Sequence, residues 1–529
     1  MTLQTEEFGE IAIGDLPLPD GVRVLSAGYT FSGRVFAFYL TDDDPDVDDW
    51  YNVAVIDDDG RGFRRIFAGA IPQKATANGI RHMPFADDRR VLLGDYVLEC
   101  TPDISTCESA QLIDVEYPWG IADDPLTTHH WSEIIIAPDD EHIAWTSLRA
   151  DMTGLVGLGR LSRTTDKYVI EDASIISTVD AILPDPERRG FVVPQVLRGG
   201  EAKQFVHGGT AISFVGDGGG TLTDSVVQDI ASGEVTRITR TPGYDETTMF
   251  SPDERLGIVM TSRESAPTDP AILGLVPRPH GNLIGVSLAW TVYVYTVAGV
   301  RAFRPGNVGP VLIDIERSVT DSAYRGVALN TDEEWVYCSP MSWHPHGDRV
   351  MWMETRRGSG GERVRDMRAR IAHLLDHVPG APVPAQVTPD APYGIAGPAA
   401  ENLLRHPSQT MSAGRIAGAH HGYLEFERRP VDESGRVVAH ARYVDYSDDG
   451  IHVYDGIERV SSSMQDGTVY EADLEVTGET GGEMRLRLAW SGLGQGARLV
   501  RERNDDGMPA SHGFARWGEA VLRVEDLAE

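Results

Sequence analysis

Four stretches of the chain share one short pattern, in which a strand-like segment ends in a Pro/Asp turn that leads into an alternating apolar segment. These are MPFADDRRVLLGD (83–95), IIIAPDDEHIAWTS (134–147), FSPDERLGIVMTS (250–262) and MSWHPHGDRVMWME (341–354). Proline presets φ at the first turn position, while Asp or Gly suits the later ones. Each stretch is therefore predicted to be a β-hairpin.

The hairpins belong to longer units of four strands. Between residues 203 and 240 the strands read KQFVH, TAISFVG, SVVQDI and EVTRITR. Four-stranded units that recur along a chain indicate a β-propeller. We predict an all-β fold whose residues 1–395 form a six-bladed β-propeller, with blades that begin near residues 22, 79, 129, 199, 244 and 334. The segment MRARIAHL (367–374) fits a helix or a strand, and the third strand that the sixth blade needs favours the strand.

The pattern changes after the proline-rich segment PGAPVPAQVTPDAPYG (379–394). Alternating strands such as GYLEFERRPV and TVYEADLEVTG follow, without the Pro/Asp turn. Residues 396–529 are predicted to form a C-terminal antiparallel β-sandwich domain.

The repeated turn resembles that of TolB-like (PD40-type) propeller proteins, whose repeats usually read SPDG. This resemblance covers about residues 20–390 and implies the propeller architecture. It implies no activity, because such propellers serve both as enzymes and as binding proteins.

The formal net charge of −34 argues against nucleic acid and anionic membranes as partners, since both are negatively charged. The most apolar window, residues 285–300, is too short to cross a bilayer, which needs about 20 residues. The N-terminus has no signal-peptide pattern, and Cys100, Cys107 and Cys338 suggest no framework of bridges. These features predict a cytoplasmic protein.

In a propeller the first strand of each blade lines the central channel, and residues near its start face the mouth. Four carboxylates are predicted there, Glu133, Glu201, Asp245 and Glu246. Glycoside hydrolysis uses two carboxyl groups, one as a general acid and one as a nucleophile or base, so these four are the candidate catalytic residues. The candidate substrate-binding residues are Arg81, His129, His130, Trp131, Arg198, Tyr244, Arg278 and Trp343.

Four stretches resemble the enzymes called saponin hydrolases. They are HHWSEIIIAPDDEHIAW, RGGEAKQFVHGGTAISFVG, GYDETTMFSPDERLGIVM and PMSWHPHGDRVMWME, within residues 120–360. The resemblance implies a β-glucuronidase-like glycoside hydrolase that releases a glucuronide from a bulky terpenoid aglycone. It implies no role for any individual residue. Arg81, Arg198 or Arg278 could hold the glucuronate carboxylate with two parallel hydrogen bonds.

Two other functions fit the same residues. A propeller can bind a protein or small molecule without catalysis. A metal-dependent uronate lyase would instead use histidines such as His129, His130, His207, His280, His344 and His346. A lyase product carries a new double bond that absorbs ultraviolet light, whereas a hydrolase product does not.

The predicted hydrolase uses carboxylates and no cofactor, so glucuronide hydrolysis should survive prolonged treatment with EDTA. Elemental analysis of the purified protein should then find no stoichiometric transition metal. Loss of turnover that manganese or zinc restores would favour the lyase.

Overall fold

The structure is a computed structural model, and it is built mainly of β-strands in antiparallel sheets. It describes residues 1–527 except 48, 73–81, 124–126, 129–132, 150–153, 178–181, 196–199, 217–221, 264–269, 286–287, 360–365, 406–412, 430–435, 464 and 505–506. None of the helices in the described ranges is both long and apolar enough to span a membrane. The prediction of an all-β chain is confirmed.

The described residues up to 374 hold six successive groups of strands, which we call units. The first, fourth and fifth are separate four-stranded sheets, the second and third belong to one ten-stranded sheet, and the sixth lies in a five-stranded sheet. Two strands precede them, β1 (Thr2–Thr5) and β2 (Gly9–Asp15). The first unit holds β3 (Arg23–Tyr29), β4 (Val35–Leu40), β5 (Trp50–Ile56) and β6 (Arg64–Ala70). The second holds β7 (His82–Pro84), β8 (Arg90–Leu93), β9 (Tyr96–Thr101) and β10 (Ser109–Glu116). Between the second and third units lies β11 (Thr127–Thr128). The third unit holds β12 (Ile134–Ile136), β13 (His142–Arg149), β14 (Gly154–Arg163) and β15 (Lys167–Ile175).

Two short strands, β16 (Ile182–Pro184) and β17 (Val192–Pro194), separate the third and fourth units. The fourth holds β18 (Glu201–Val206), β19 (Ala211–Gly216), β20 (Asp224–Asp229) and β21 (Val235–Arg237). The fifth holds β22 (Asp245–Phe250), β23 (Leu256–Thr261), β24 (Val311–Asp314) and β25 (Val327–Ala328). The sixth holds β26 (Trp335–Trp343), β27 (Arg349–Arg356) and β28 (Met367–Leu374). The strand prediction for MRARIAHL, which is β28, is confirmed.

The N-terminal strand β2 supplies the fourth strand of the sixth unit by pairing with β28. Hydrophobic clusters then join the units. One cluster packs Tyr29 and Val35 of the first unit against Met351 and Ile371 of the sixth. Other clusters join each unit to the next. This cyclic packing of four-stranded units gives the molecule a propeller-like all-β organisation.

The Pro/Asp turns have the geometry that their sequences predict. In the fifth unit Glu254 N–H donates to Ser251 O at 2.8 Å, and Glu254 has a left-handed φ of 57°. Asp140 and Gly347 occupy the same turn position in the third and sixth units, with φ of 61° and 77°. This backbone conformation favours Gly, Asn and Asp, so the local sequence selects the turn.

The proline-rich segment 379–394 runs across these turns. Gly380 N–H donates to Asp253 Oδ2 at 2.7 Å, and Val383 N–H donates to Pro252 O at 2.8 Å. Further along, Gln386 N–H donates to Gly208 O at 2.8 Å, and Thr388 N–H donates to Asp139 Oδ2 at 3.0 Å. The segment therefore binds the fifth, fourth and third units in succession. It ends at β29 (Ile395–Ala396), which pairs with β15, and α5 (Gly397–Arg405) follows.

The C-terminal strands form one sheet with β16 and β17. They are β30 (Ala413–Ala417), β31 (His421–Arg429), β32 (Arg436–Ser447), β33 (Val453–Ser463), β34 (Gly467–Thr477), β35 (Gly482–Trp490), β36 (His512–Trp517) and β37 (Ala520–Arg523). The predicted two-sheet sandwich is not confirmed, because the described strands of this region belong to a single sheet. The strands of this sheet are antiparallel except for the parallel pair β17–β30.

The buried face of this sheet packs on a helical insertion between β23 and β24 of the fifth unit. The insertion contains α1 (Asn282–Gly285), α2 (Ala289–Tyr293), a π-helical turn (Val294–Ala298) and α3 (Gly299–Ala302). The last three elements are continuous, and we call residues 289–302 the inserted helix. The one remaining α-helix of the described chain is α4 (Ile315–Thr320), and 3₁₀ turns lie at Pro118–Asp123, His207–Gly209, Pro270–Leu273, Leu493–Gln495 and Val524–Asp526.

The interpretation that the cysteines form no bridge is wrong for one pair. Cys100 and Cys107 form a disulfide across the β9–β10 hairpin, with their Cα atoms 5.3 Å apart. Cys338 is buried and is not part of a disulfide. The cytoplasmic location stays a prediction.

Asp253 holds both its turn and the proline-rich segment, so Asp253→Ala should lower the free energy of unfolding by about 1–3 kcal/mol. Its carboxylate accepts from Ser251 Oγ at 2.6 Å, Arg255 N at 3.2 Å and Gly380 N at 2.7 Å. Partial burial raises the pKa of Asp253, but these hydrogen bonds outweigh burial and leave its pKa below the ordinary value.

A depressed folded-state pKa stabilises the fold above the unfolded pKa of about 3.9, and this stability is lost as pH falls through the folded value. The difference in free energy of unfolding between wild type and Asp253→Ala, measured by urea denaturation, should thus be largest at pH 7 and become smaller at acidic pH. The exposed Asp20→Ala is the matched control and should change stability little. An Asp253→Ala variant as stable as this control would contradict the assigned role.

Candidate functional site

Three carboxylates from three successive units meet at one ammonium group. Lys203 Nζ lies 2.8 Å from Glu133 Oε1, 2.8 Å from Glu201 Oε2 and 3.5 Å from Glu246 Oε1. Glu133 directly precedes β12, Glu201 and Lys203 lie in β18, and Glu246 lies in β22. We call these four residues the lysine–glutamate cluster.

Local strand geometry explains why these side chains converge. Glu201 and Lys203 are two residues apart, so they project from the same face of β18. The pairing register of β18 shifts between Ala202 and Gln204, where Lys203 is the extra residue. The register of β22 shifts in the same way between Asp245 and Thr248, which includes Glu246. Such bulges redirect side chains, and here they aim Lys203 and Glu246 at the cluster.

The ammonium is closed off from solvent, whereas part of the carboxylate rim is open. The side chain of Lys203 is 3% exposed, and that of Glu201 is 28% exposed. Burial lowers the pKa of Lys203, but the charges of Glu133, Glu201 and Glu246 outweigh it and raise the pKa above the ordinary lysine value. Lys203 is therefore charged at neutral pH.

Tyrosines extend the cluster. Tyr244 OH donates to Glu246 Oε2 at 2.8 Å, and burial together with the charge of Glu246 raises the pKa of Tyr244 well above 10. Tyr293 of the inserted helix packs against the hydrophobic cluster that contains Tyr244. Burial is the main cause that raises the pKa of Tyr293, and both tyrosines stay protonated at neutral pH.

Asp245 does not join its neighbour Glu246. Consecutive strand residues point to opposite faces, and Asp245 is fully buried against Arg263, with Oδ2 2.8 Å from Nη2. Thr241 Oγ1 also donates to Asp245 Oδ2, at 2.9 Å. The structure thus places Asp245 in a structural ion pair away from the predicted channel mouth.

Arg278 was predicted to bind substrate, but it lies in the core between the helical insertion and the C-terminal sheet. Its Nε is 3.0 Å from Glu458 Oε1, and both side chains are fully buried. This placement contradicts the prediction, because a substrate cannot reach the guanidinium there. Glu458 also accepts from Tyr470 OH at 2.6 Å.

The aromatic candidates divide in a similar way. Trp343 is buried and donates its ring N–H to Met249 O at 2.8 Å, so it packs in the core instead of facing a ligand. Tyr244 is also buried, and only its hydroxyl takes part in the site. The predicted residues Arg81, His129, His130, Trp131 and Arg198 lie outside the described residues.

The described histidines named for a lyase do not gather at the cluster. His280 bonds Tyr446 OH of the C-terminal sheet at 2.9 Å, and His207 lies in the turn of the fourth unit. His344, His346 and Asp348 do offer ligand atoms within 4.8 Å of one another, in the turn of the sixth unit. However, His344 Nδ1 already accepts a hydrogen bond from the His346 backbone N–H at 3.1 Å. The lone pair of this nitrogen therefore stabilises the turn and is not open to a metal ion.

Sequence reasoning missed the contribution of the inserted helix. It treated residues 285–300 only as an apolar window, yet this segment packs Tyr293 against the hydrophobic cluster that contains Tyr244. Arg301, directly after it, donates its Nε–H to Tyr337 O. The available signal was the recurrence of Trp290, Tyr293 and Arg301 among apolar residues, which marks one polar-aromatic face of a helix.

No family model matches the sequence, and no curated protein matches it. Among solved structures, the chain is similar to TolB from Acinetobacter baumannii, with 12% identity over 68% of this chain and 64% of that one and a TM-score of 0.32. It is also similar to a luciferin-regenerating enzyme, with 8% identity over 71% of this chain and 100% of that one and a TM-score of 0.33. Similarities of this size indicate no activity, so the functional argument depends on the cluster itself.

Removing the ammonium should be costly, since it leaves three carboxylates in a poorly solvated site without their counter-ion. We expect Lys203→Met to lower the free energy of unfolding by about 3–5 kcal/mol at pH 7. The raised pKa of Lys203 means that its stabilisation is fully present below the unfolded lysine pKa and is lost only as pH rises through the folded value.

In Lys203→Met the carboxylates have lost their counter-ion and become easier to protonate. The difference in free energy of unfolding between wild type and Lys203→Met, measured by guanidinium denaturation, should therefore become smaller between pH 7 and pH 5. The matched control is Lys167→Met, which removes an exposed ion pair with Glu116 and should change stability little. Equal effects of the two substitutions would show that Lys203 is not an essential counter-ion.

Proposed function

We propose that this protein is a glycoside hydrolase whose catalytic carboxyl groups are among Glu133, Glu201 and Glu246. The observation that carries the proposal is the convergence of these three groups, from three units, at a partly open site. Glycoside hydrolysis needs two carboxyl groups on either side of the scissile bond. An ordinary structural ion pair would need only one carboxylate for each ammonium.

We further propose that the six four-stranded units are the six blades of a closed propeller and that the cluster lies at one mouth of its channel. Glu133, Glu201 and Glu246 lie at or just before the start of β12, β18 and β22, whereas the Pro/Asp turns lie at the other ends of these first strands. The catalytic mouth is then the one that the inserted helix approaches, and the proline-rich segment crosses the opposite side.

The shared contacts with Lys203 set an upper limit on the separation of two of the carboxylates. Glu133 Oε1 and Glu201 Oε2 each lie 2.8 Å from the same nitrogen, so these oxygens are at most about 5.6 Å apart. Carboxyl groups separated by roughly 5–5.5 Å are typical of retaining enzymes, in which one of them attacks the sugar. Three carboxylates outnumber the single ammonium, and this negative excess favours the positive charge of an oxocarbenium-like transition state.

The proposed substrate is a glucuronide of a bulky terpenoid, saponin-type aglycone. The support for this choice is the resemblance of four stretches to saponin hydrolases, and three of those stretches contain Glu133, Glu201 and Glu246. The reaction replaces the aglycone oxygen on the anomeric carbon with the oxygen of water. The aglycone leaves with a proton supplied by the general acid.

A non-catalytic binding module is the second candidate. It is favoured by the saturation of the cluster, because Lys203 and Tyr244 already satisfy oxygens of Glu201 and Glu246. A binding module would retain a glucuronide without releasing its aglycone, which separates the two proposals in one assay.

The test is a series of isosteric substitutions, Glu133→Gln, Glu201→Gln and Glu246→Gln, assayed on p-nitrophenyl β-D-glucuronide. At least two of the three should lose about 100-fold or more in kcat, since amides can neither transfer the proton nor attack. Glu254→Gln is the matched control. Glu254 lies at the turn of the same hairpin as Glu246, where it accepts the His207 N–H, and the control should retain activity.

Rescue by azide and the dependence of activity on the leaving group then show which carboxyl group is the nucleophile and which is the general acid. A nucleophile variant should be rescued by azide with a glycosyl azide as product, and an acid variant should stay more active on p-nitrophenyl than on alkyl glucuronides. Full activity in all three variants, or no hydrolysis of any glucuronide by the wild type, would contradict the hydrolase proposal.

A further inference from the structure

The inserted helix presents one partly exposed face beside the lysine–glutamate cluster. Its partly exposed or exposed residues are Ala289, Trp290, Tyr293, Val294, Ala298, Arg301 and Ala302. They recur at helical spacing, with one wider step through the π-helical turn. Turns of this kind are frequent at functional sites, where they adjust which side chains share a face.

The opposite face of the helix is fixed by burial against the C-terminal sheet. Thr291 Oγ1 is 2.8 Å from Thr468 Oγ1 of β34, and the Tyr295 ring packs edge-on against Trp490 at 6.3 Å between centroids. At the C-terminal end, Arg357 Nη1 donates to Val300 O at 2.5 Å. The helix is therefore held rigidly, which suits a surface that must present side chains at fixed positions.

Trp290 and Tyr293 form an aromatic pair on the partly exposed face. Their rings meet edge to face, with centroids 5.6 Å apart, and both side chains are only half-buried. Half-exposed aromatic rings beside a polar site offer apolar area to a flat ring of a ligand. The fully buried Trp343, which sequence reasoning assigned to this task, offers none.

Arg301 adds a positive charge with unused donors. Its Nε donates to Tyr337 O of β26 at 3.0 Å, which fixes the guanidinium on the sixth unit. Its two terminal nitrogens make no hydrogen bond to the part of the chain that the structure describes. Tyr337 belongs to the same hydrophobic cluster as Tyr244, whose hydroxyl donates to Glu246 Oε2 of the lysine–glutamate cluster.

We infer that Trp290, Tyr293 and Arg301 form the recognition wall of the site, where the aromatic pair packs on a ring of the glycoside and the guanidinium pairs with its carboxylate. The inference depends on the proposed function for the identity of this ligand. Planar guanidinium groups bind carboxylates with two parallel hydrogen bonds, so Arg301 would select an acidic sugar over a neutral one.

The experiment measures binding separately from turnover. Affinities are determined by calorimetry in a Glu246→Gln background for p-nitrophenyl β-D-glucuronide and p-nitrophenyl β-D-glucoside, which differ only in the sugar carboxylate. Arg301→Gln should weaken glucuronide binding about 10- to 100-fold and change glucoside binding less than about twofold. Trp290→Ala should weaken the binding of both ligands about 5- to 10-fold, because stacking on a sugar ring does not involve the carboxylate.

The control is Arg459→Gln, which removes an exposed arginine on the C-terminal sheet and should alter neither affinity. Thermal melts show whether each variant is folded, and Arg301→Lys keeps the charge if Arg301→Gln is unstable. It should bind glucuronide at intermediate affinity, since a lysine cannot form the bidentate pair.

Equal losses for both sugars in Arg301→Gln, or no binding of either sugar by the parent protein, would overturn the inference. Binding that depends on Arg301 without hydrolysis in the wild type would contradict only the proposed hydrolase. Hydrolysis that is insensitive to Arg301 would contradict only the recognition wall.

Discussion

The ammonium of Lys203 allows three carboxylates to share a space that water scarcely enters. Glu133, Glu201 and Glu246 belong to three units that would otherwise repel one another where their first strands begin. Charges are costly to bury, and pairing offsets this cost only when the geometry is good. Two contacts of 2.8 Å and one of 3.5 Å supply that geometry, so the same nitrogen joins the units and organises the candidate site.

The inserted helix connects this site to the C-terminal sheet. One face of the helix is buried on the sheet, and the insertion is further held by the fully buried pair Arg278–Glu458. The opposite face carries Trp290, Tyr293 and Arg301, which we infer to line the site. The C-terminal sheet thus acts on the site indirectly, because it fixes the orientation of the helix that walls it. Loss of the sheet would expose the buried helix face and leave Arg278 without its counter-ion.

Much of the propeller-like region could be predicted because its signals are local. In the third and fifth units a proline, an aspartate and a left-handed residue form the turn within a few residues, as Pro252, Asp253 and Glu254 show. Strand alternation likewise identified β28. The predicted sandwich is not confirmed, because strand alternation indicates that one face of a strand is buried but does not indicate what covers that face. Here the cover is a helical insertion from the fifth unit, more than 100 residues earlier in the chain.

The sequence by itself determined the all-β class, the hairpin turns and the presence of carboxylates near the start of successive first strands. Tertiary structure alone decided which of those carboxylates meet. Asp245 and Glu246 are neighbours in sequence, but the alternation of β22 and its bulge send one to Arg263 and the other to Lys203. Arg278 was predicted to bind substrate, and only packing shows that it is buried against Glu458, whereas Arg301 is partly exposed. Register shifts and long-range burial depend on the whole fold, so no local pattern encodes them.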